Sequence, residues 1–183
     1  MICHKTGTVF VHIPKTGGDS INAAFLKANG LGWEKLRNLA VRINGSVHPF
    51  GNEVPPLPDY HWFTVVRNPY DRMVSEYKWR KMRGQFIGSF KRYLEVGPRT
   101  EKEARHWEPQ YRFTEGVDLK ILRFEDRDAI NEHVFALCGQ KMPHKNKAAD
   151  RTDYKDFYDA EKTAIVRRLF EADFDIFGYP TTL

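Results

Sequence analysis

This sequence predicts an α/β fold: a single domain over residues 1–183 with a mainly parallel sheet flanked by helices. Three observations predict it. A β-branched apolar run from Thr8 to Ile13 meets a glycine pair and then apolar residues at helical spacing. The same strand, turn, helix order returns from His61, and a third strand-like run, Val117 to Phe124, again precedes a helical pattern. Strands alternating with helices are the pattern of parallel strands joined by helical crossovers.

Taken in order, Thr8 to Ile13 is apolar almost throughout, as expected of a strand buried on both faces, and Pro14 closes it. Ile21, Ala24, Phe25 and Ala28 share one helical face, which Asn29-Gly30 ends. Trp33 to Ile43 reads as a second helix. Gly45 to Asp59 holds four prolines and two glycines, the composition of a long loop with a function of its own. His61 to Val66 (HWFTVV) is the second strand, and RNPY leads into a helix from about Tyr70 to Met82 with Met73, Val74 and Tyr77 on one face. Helices are further expected over Phe86–Val96, Asp128–Leu137 and Asp159–Asp173, the last with Ile165, Val166, Leu169 and Phe170 as its apolar stripe. No internal repeat or low-complexity segment interrupts the series.

Composition narrows the function. A chain of 183 residues with 41% hydrophobic and 14% aromatic content can build one proper core. Its 29 Lys and Arg against 24 Asp and Glu give a formal charge of +5, which suits an anionic ligand. The run of basic residues expected of a nucleic-acid footprint is missing, so no nucleic-acid partner is expected. Cys3 and Cys138 are far apart, which indicates neither a zinc site nor a disulfide framework, and a reducing compartment follows. The N-terminal apolar run is too short for a signal peptide, and no segment has the length of a membrane span. A soluble, cytoplasmic protein is the expectation. No metal is expected, because the histidines and acids show no ligand spacing such as HExxH.

Two turns carry chemistry. In VFVHIPKTGGDSINAAF the glycine pair Gly17-Gly18 lets the backbone approach a ligand, and the helix that follows offers N–H groups and a positive dipole end. Lys15, Thr16 and Ser20 add a cation and two hydroxyls. The turn resembles a P-loop in physics but not in sequence, since the GxxxxGK[ST] signature places its lysine after the second glycine. A tight turn with a solvent-facing lysine is the plain alternative. In RNPYDRMVSEY, Arg67 follows a strand directly and Ser75 stands eight residues on, about two helical turns further. An arginine fork can grip a phosphate bidentately, and Ser75 could donate to the same group. The alternative reading makes Arg67 and Arg72 surface cations and Ser75 a small helix contact.

Together and in this order the two turns resemble the phosphate-binding pair of sulfotransferases that use 3′-phosphoadenosine 5′-phosphosulfate (PAPS). The resemblance is to the carbohydrate branch that includes the heparan sulfate 2-O- and 6-O- and chondroitin 4-O-sulfotransferases. FVHIPKTGG looks like that family's 5′-phosphosulfate loop and VVRNPYDRMVSEY like its 3′-phosphate element. Weaker similarity continues through HWEPQ (His106 to Gln110), ILRFED (Ile121 to Asp126) and DFDIFGYP (Asp173 to Pro180). The resemblance implies a P-loop-like sulfotransferase fold, PAPS as donor and adenosine 3′,5′-bisphosphate as product. It also implies a hydroxyl-bearing acceptor, a carbohydrate in the family's enzymes, without fixing its identity or the oligomeric state.

Residue by residue, the resemblance gives Lys15 the task of stabilising charge on the leaving oxygen. The physics agrees, because a fixed ammonium beside the bridging oxygen matters most in the transition state. Lys15, Thr16, Gly17, Gly18, Asp19 and Ser20 would hold the 5′ end, and Arg67 with Ser75 the 3′-phosphate. His48, in SVHPFG, stands where the family's carbohydrate enzymes carry a histidine base, and an ordinary imidazole suits that task at neutral pH. His61 and His106 are the other candidates, and His12 is read as structural. The family loop normally continues GGTS or GGSS. Here Asp19 replaces the hydroxyl, and a carboxylate about 4 Å from a phosphate is repelled by roughly 1 to 4 kcal/mol unless it turns outward as a helix cap or meets a cation. KWRKMR (Lys78 to Arg83) could dock an anionic acceptor, Arg151 could close over the nucleotide, and Glu125 and Asp126 could cap a helix or touch substrate. Two rivals stay open: a small-molecule kinase, and a nucleotide- or glycan-binding module of the same fold without turnover.

Overall fold

The computed structural model describes residues 1–31, 48–143 and 152–183. Its elements run β1 (Ile2–Cys3), β2 (Thr8–Val11), α1 (Gly18–Ala28), β3 (His61–Val66), α2 (Pro69–Met82), α3 (Phe90–Val96), α4 (Glu101–Trp107), α5 (Tyr111–Thr114), β4 (Lys120–Arg123), α6 (Arg127–Cys138), α7 (Ala160–Leu169) and α8 (Glu171–Phe177). The expected helix Trp33–Ile43 and the proposed role of Arg151 fall outside the described residues. The chain divides into two compact units: Met1–Val66 with Arg112–Lys147, and Arg67–Tyr111 with Ala148–Leu183.

The first unit is the sheet. Its four strands lie in the order β1-β2-β3-β4, with β1 antiparallel to β2 and the pairs β2/β3 and β3/β4 parallel. Register pairs Thr8 with His61 and Val11 with Thr64, so β2 and β3 start together and β3 runs two residues further, to Val66. The apolar run that predicted a two-sided burial is buried at all four residues of β2. Phe10, Phe63, Val65 and Leu122 on one face pack with Ile21, Ala24 and Phe25 of α1 and Ile130 and Val134 of α6. Burying each such side chain contributes about 1.5–3 kcal/mol. Thr64 keeps its buried hydroxyl satisfied by donating to the Val11 carbonyl at 2.7 Å. At its C-terminal end α1 is closed by Lys5 Nζ on the Ala28 oxygen and by Asn29 Nδ2 on the Phe25 oxygen.

The second unit is helical. Tyr77 of α2 sits among the rings of Phe86, Phe90, Tyr93 and Phe157, and Tyr70 lies against Tyr158 and Phe174. Arg72, which the plain reading placed on the surface, is instead only 1% exposed. Its Nη2 donates to the carbonyls of His106 and Glu108 at 2.9 and 2.8 Å, and its Nη1 lies 3.9 Å from Asp173. Asp173 in turn accepts from the backbone N–H groups of Gln110 and Tyr111. HWEPQ and the closing DFD are thus parts of one buried polar network.

The strand expected over Thr8–Ile13 ends at Val11, and three further boundaries differ from the expectation. The helix expected from Phe86 starts at Phe90, because Ser89 caps it by accepting from Arg92 N and Gly88 before it has φ 145°. The strand expected from Val117 begins at Lys120, and Val117 packs instead where a Cβ on Gly51 would lie 2.5 Å from its Cγ2. The helix expected over Asp159–Asp173 is two helices that break at Phe170, whose φ and ψ of −126° and 27° are not helical. Among the described residues no helix is long and apolar enough to cross a membrane.

Candidate active site

The turn between β2 and α1 is built around two unusual backbone positions. Lys15 has φ 71°, and among the described residues it alone is a non-glycine with positive φ. Such a conformation costs an L-residue roughly 1–2 kcal/mol and survives where its surroundings impose it, most often at functional sites. Here Thr16, 1% exposed, donates its hydroxyl to the Ile13 carbonyl at 2.9 Å and closes the turn beneath Lys15. Gly17 follows at φ 83° as the N-cap of α1. Glycine has no side chain to cap the helix, and the N-terminus of an α-helix carries N–H groups without intrahelical partners. Ser20 N bonds the Gly17 carbonyl at 3.1 Å, and Asp19 is exposed in the first turn. Asp19 therefore turns outward without serving as the cap.

The two glycines answer different needs. Gly17 supplies the left-handed backbone, and a Cβ there would also crowd the Phe124 ring at 3.1 Å. Gly18 has a helical backbone, but a Cβ on it would lie 2.1 Å from the His12 ring. The His12 imidazole lies flat on the start of the helix, stacked on Phe10 with ring centroids 5.5 Å apart.

His48 is brought to the same place. Its ring meets His12 edge to face at 4.5 Å between centroids, and its Nδ1 lies 3.1 Å from the His12 main-chain oxygen. A carbonyl only accepts, so Nδ1 carries the proton in that bond and Nε2 holds the lone pair of a neutral ring. The other two candidate histidines are placed differently. His61 is exposed at the start of β3, the end of the sheet opposite the glycine turn. His106 is buried in the second unit with Nδ1 3.0 Å from Glu76 Oε2 and its ring stacked on Trp79.

In the second unit Arg67 directs Nε and Nη2 to the two oxygens of Asp71, both at 2.7 Å. Its peptide is fixed by the Gln110 side chain, which accepts from Arg67 N and donates to Arg67 O. Asn68 caps α2 by accepting from Tyr70 N, with Pro69 as the first helical residue. Ser75 is half-buried on α2, four residues after Asp71 and hence on its face of the helix.

Three contributors escaped the sequence reading. Asp71 was visible only as a residue four past Arg67, the spacing of a helix-face ion pair. His12 was read as structural and is instead the contact between His48 and the turn. Arg127, at the start of α6, stacks on Phe124 with its guanidinium carbon 3.6 Å from the ring centroid and brings Nη1 within 3.5 Å of a Cβ built on Gly17. Nothing in local spacing links residue 127 to residue 17. Asp126 caps α6 by accepting from Ala129 N. Among the described residues no group of three or more His, Cys, Asp or Glu is placed to hold a metal ion.

The turn brings a lysine at positive φ to the N-terminus of a helix, groups of the kind that can meet an anion. No curated protein and no solved structure matches the chain. A family model described as the sulfotransferase family matches residues 1–180, which takes in both units. The chain belongs to that family, the one of carbohydrate sulfotransferases such as the heparan sulfate and chondroitin enzymes, and its reaction class is sulfuryl transfer.

Proposed function

We propose that the protein moves a sulfuryl group from PAPS to a hydroxyl of a carbohydrate acceptor, with residues 1–183 acting as one catalytic domain. The observation that supports this reading is His48 held on His12, three residues before Lys15, on the segment that leads into the N-terminus of α1. Bound PAPS supplies an activated sulfuryl group on a phosphate leaving group. The N–H groups from Thr16 to Asp19 with the Ser20 hydroxyl would hold the 5′-phosphate, and Arg67 and Ser75 would hold the 3′-phosphate. His48 Nε2 takes the acceptor's hydroxyl proton as the new O–S bond forms. Lys15 would supply a fixed positive charge beside the donor's 5′-phosphate, the contribution of a cation to in-line transfer. The products are a sulfate ester and adenosine 3′,5′-bisphosphate, and the proton leaves from His48.

A second reading, a nucleotide- or glycan-binding module without turnover, draws on the exposed Asp19 carboxylate in the first turn of α1. Ligand-induced stabilisation separates the readings first. At a hundredfold excess over Kd a ligand of the folded state contributes about 2.7 kcal/mol, a clear rise in Tm. Adenosine 3′,5′-bisphosphate should raise Tm while ATP with Mg²⁺ does not, and the reverse outcome would favour the kinase. Transfer of labelled sulfuryl from PAPS to a panel of de-O-sulfated glycans, lost in Lys15→Ala with nucleotide binding retained, then distinguishes an enzyme from a binding module.

A further inference from the structure

We propose that His12 is a positioning residue for His48: its ring, seated on Gly18, is the wall that holds the His48 imidazole with Nδ1–H on the His12 carbonyl and Nε2 presented to the acceptor. This rests on the reading of His48 as the base.

Two contacts converge on one residue. The main chain of His12 takes the Nδ1 proton at 3.1 Å, and its side chain meets the His48 ring edge to face at 4.5 Å. The hydrogen bond fixes one atom of the imidazole, and a flat ring packed at right angles to it, with an interplanar angle of 72°, limits rotation about that bond. The wall itself has little room to move. It is sandwiched between the Phe10 ring and the helix start, where the lack of a side chain at Gly18 makes its seat. The segment that makes the turn therefore also sets the tautomer and aim of the histidine beside it. A base misplaced by about 1 Å can lose on the order of a hundredfold in rate, so the wall has a catalytic consequence although it touches no reacting atom.

The test uses the full ¹⁵N-labelled chain and long-range ¹H–¹⁵N spectra of the histidine rings at about pH 8, where an ordinary imidazole is neutral. The His48 signals are identified by their loss in His48→Gln. Wild-type protein should show the Nδ1–H pattern for His48, His12→Ala a mixture of both tautomers, and His12→Phe the wild-type pattern again, since phenylalanine restores the wall. Binding of adenosine 3′,5′-bisphosphate should change less than about threefold in either His12 variant, while kcat on de-O-sulfated heparan falls at least about tenfold in His12→Ala and recovers in His12→Phe. An unchanged His48 pattern in His12→Ala, or an Nε2–H pattern in the wild type, would overturn the proposal. Full turnover in His48→Ala would instead remove the base assignment and leave the tautomer result standing, so the two failures are distinct.

Discussion

Asp71 already occupies the guanidinium edge of Arg67 that a phosphate would seek, with Nε–Oδ2 and Nη2–Oδ1 both at 2.7 Å. The pair is only partly buried, with side chains 14% and 21% exposed, so its own contribution to stability is small. Its effect on a ligand is larger. In the proposed binding mode a 3′-phosphate would meet the Nη1 edge or displace the carboxylate, while the Gln110 side chain holds the Arg67 backbone N–H and carbonyl.

The prediction concerns which phosphate is lost. Arg67→Ala should weaken binding of adenosine 3′,5′-bisphosphate by roughly 10- to 100-fold, the value of about 1.5–3 kcal/mol for a hydrogen bond to a charged group. Binding of adenosine 5′-monophosphate should barely change. Calorimetric titration of both nucleotides checks this, and equal losses for the two would remove Arg67 from the 3′ end.

The contact of His12 with Gly18 predicts a non-additive pair. Gly18→Ala forces the ring out of its seat, at a cost of about 1–3 kcal/mol by analogy with overpacked sites. Once His12→Ala has emptied the space, the added methyl should cost nothing, since alanine is favoured over glycine in a helix. Gly17→Ala should show no such rescue, because its cost is the left-handed backbone at φ 83°. Urea unfolding of the four members of each cycle measures the coupling. Additive behaviour at residue 18 would contradict the packing.

Lys15 sets stability against function. Both Lys15→Ala and Lys15→Gly remove the ammonium, and both should abolish sulfuryl transfer. They should differ in stability, because alanine keeps the strain of φ 71° and glycine relieves it. Lys15→Gly is expected to exceed Lys15→Ala by about 1 kcal/mol in denaturant unfolding. Equal stabilities would mean that the backbone relaxes without the lysine side chain.

Much of this was legible in the sequence where the signal was local. The strand runs of β2 and β3, the proline start of α2 and the glycine turn all follow from neighbours along the chain. The unforeseen parts depend on residues distant in sequence. Val117 gives up its strand role to pack on Gly51, Arg72 is drawn inside by carbonyls 34 and 36 residues away, and Gly18 is required by a ring six positions earlier. The sequence also offered no reason to expect positive φ at a lysine, since outside glycine the residues enriched there are Asn, Asp and His.

Glu76 predicts how the second unit responds to acid. Burial alone would raise its carboxyl, but the hydrogen bond and charge of His106, with those of Arg80, outweigh it and hold the group at about 2, against an ordinary 4.5. A depressed carboxylate contributes stability that is present above the unfolded value and lost as pH falls toward the folded one. The contribution is about 3 kcal/mol, lost between roughly pH 4.5 and 2. Asp173 acts in the opposite sense: burial raises its carboxyl despite Arg72 and the two backbone donors, so its contribution grows as pH falls through the carboxylate range. Comparison with Glu76→Gln isolates the first effect. At neutral pH that variant should lose about 3–5 kcal/mol, because Arg80 and His106 are left around a neutral amide. From about pH 4.5 down to 2 the gap to wild type should shrink, as the unfolded chain's carboxyl takes up a proton before the native one does. Urea midpoints taken across this range measure it, and a gap that stays constant with pH would show that Glu76 is not held as a carboxylate.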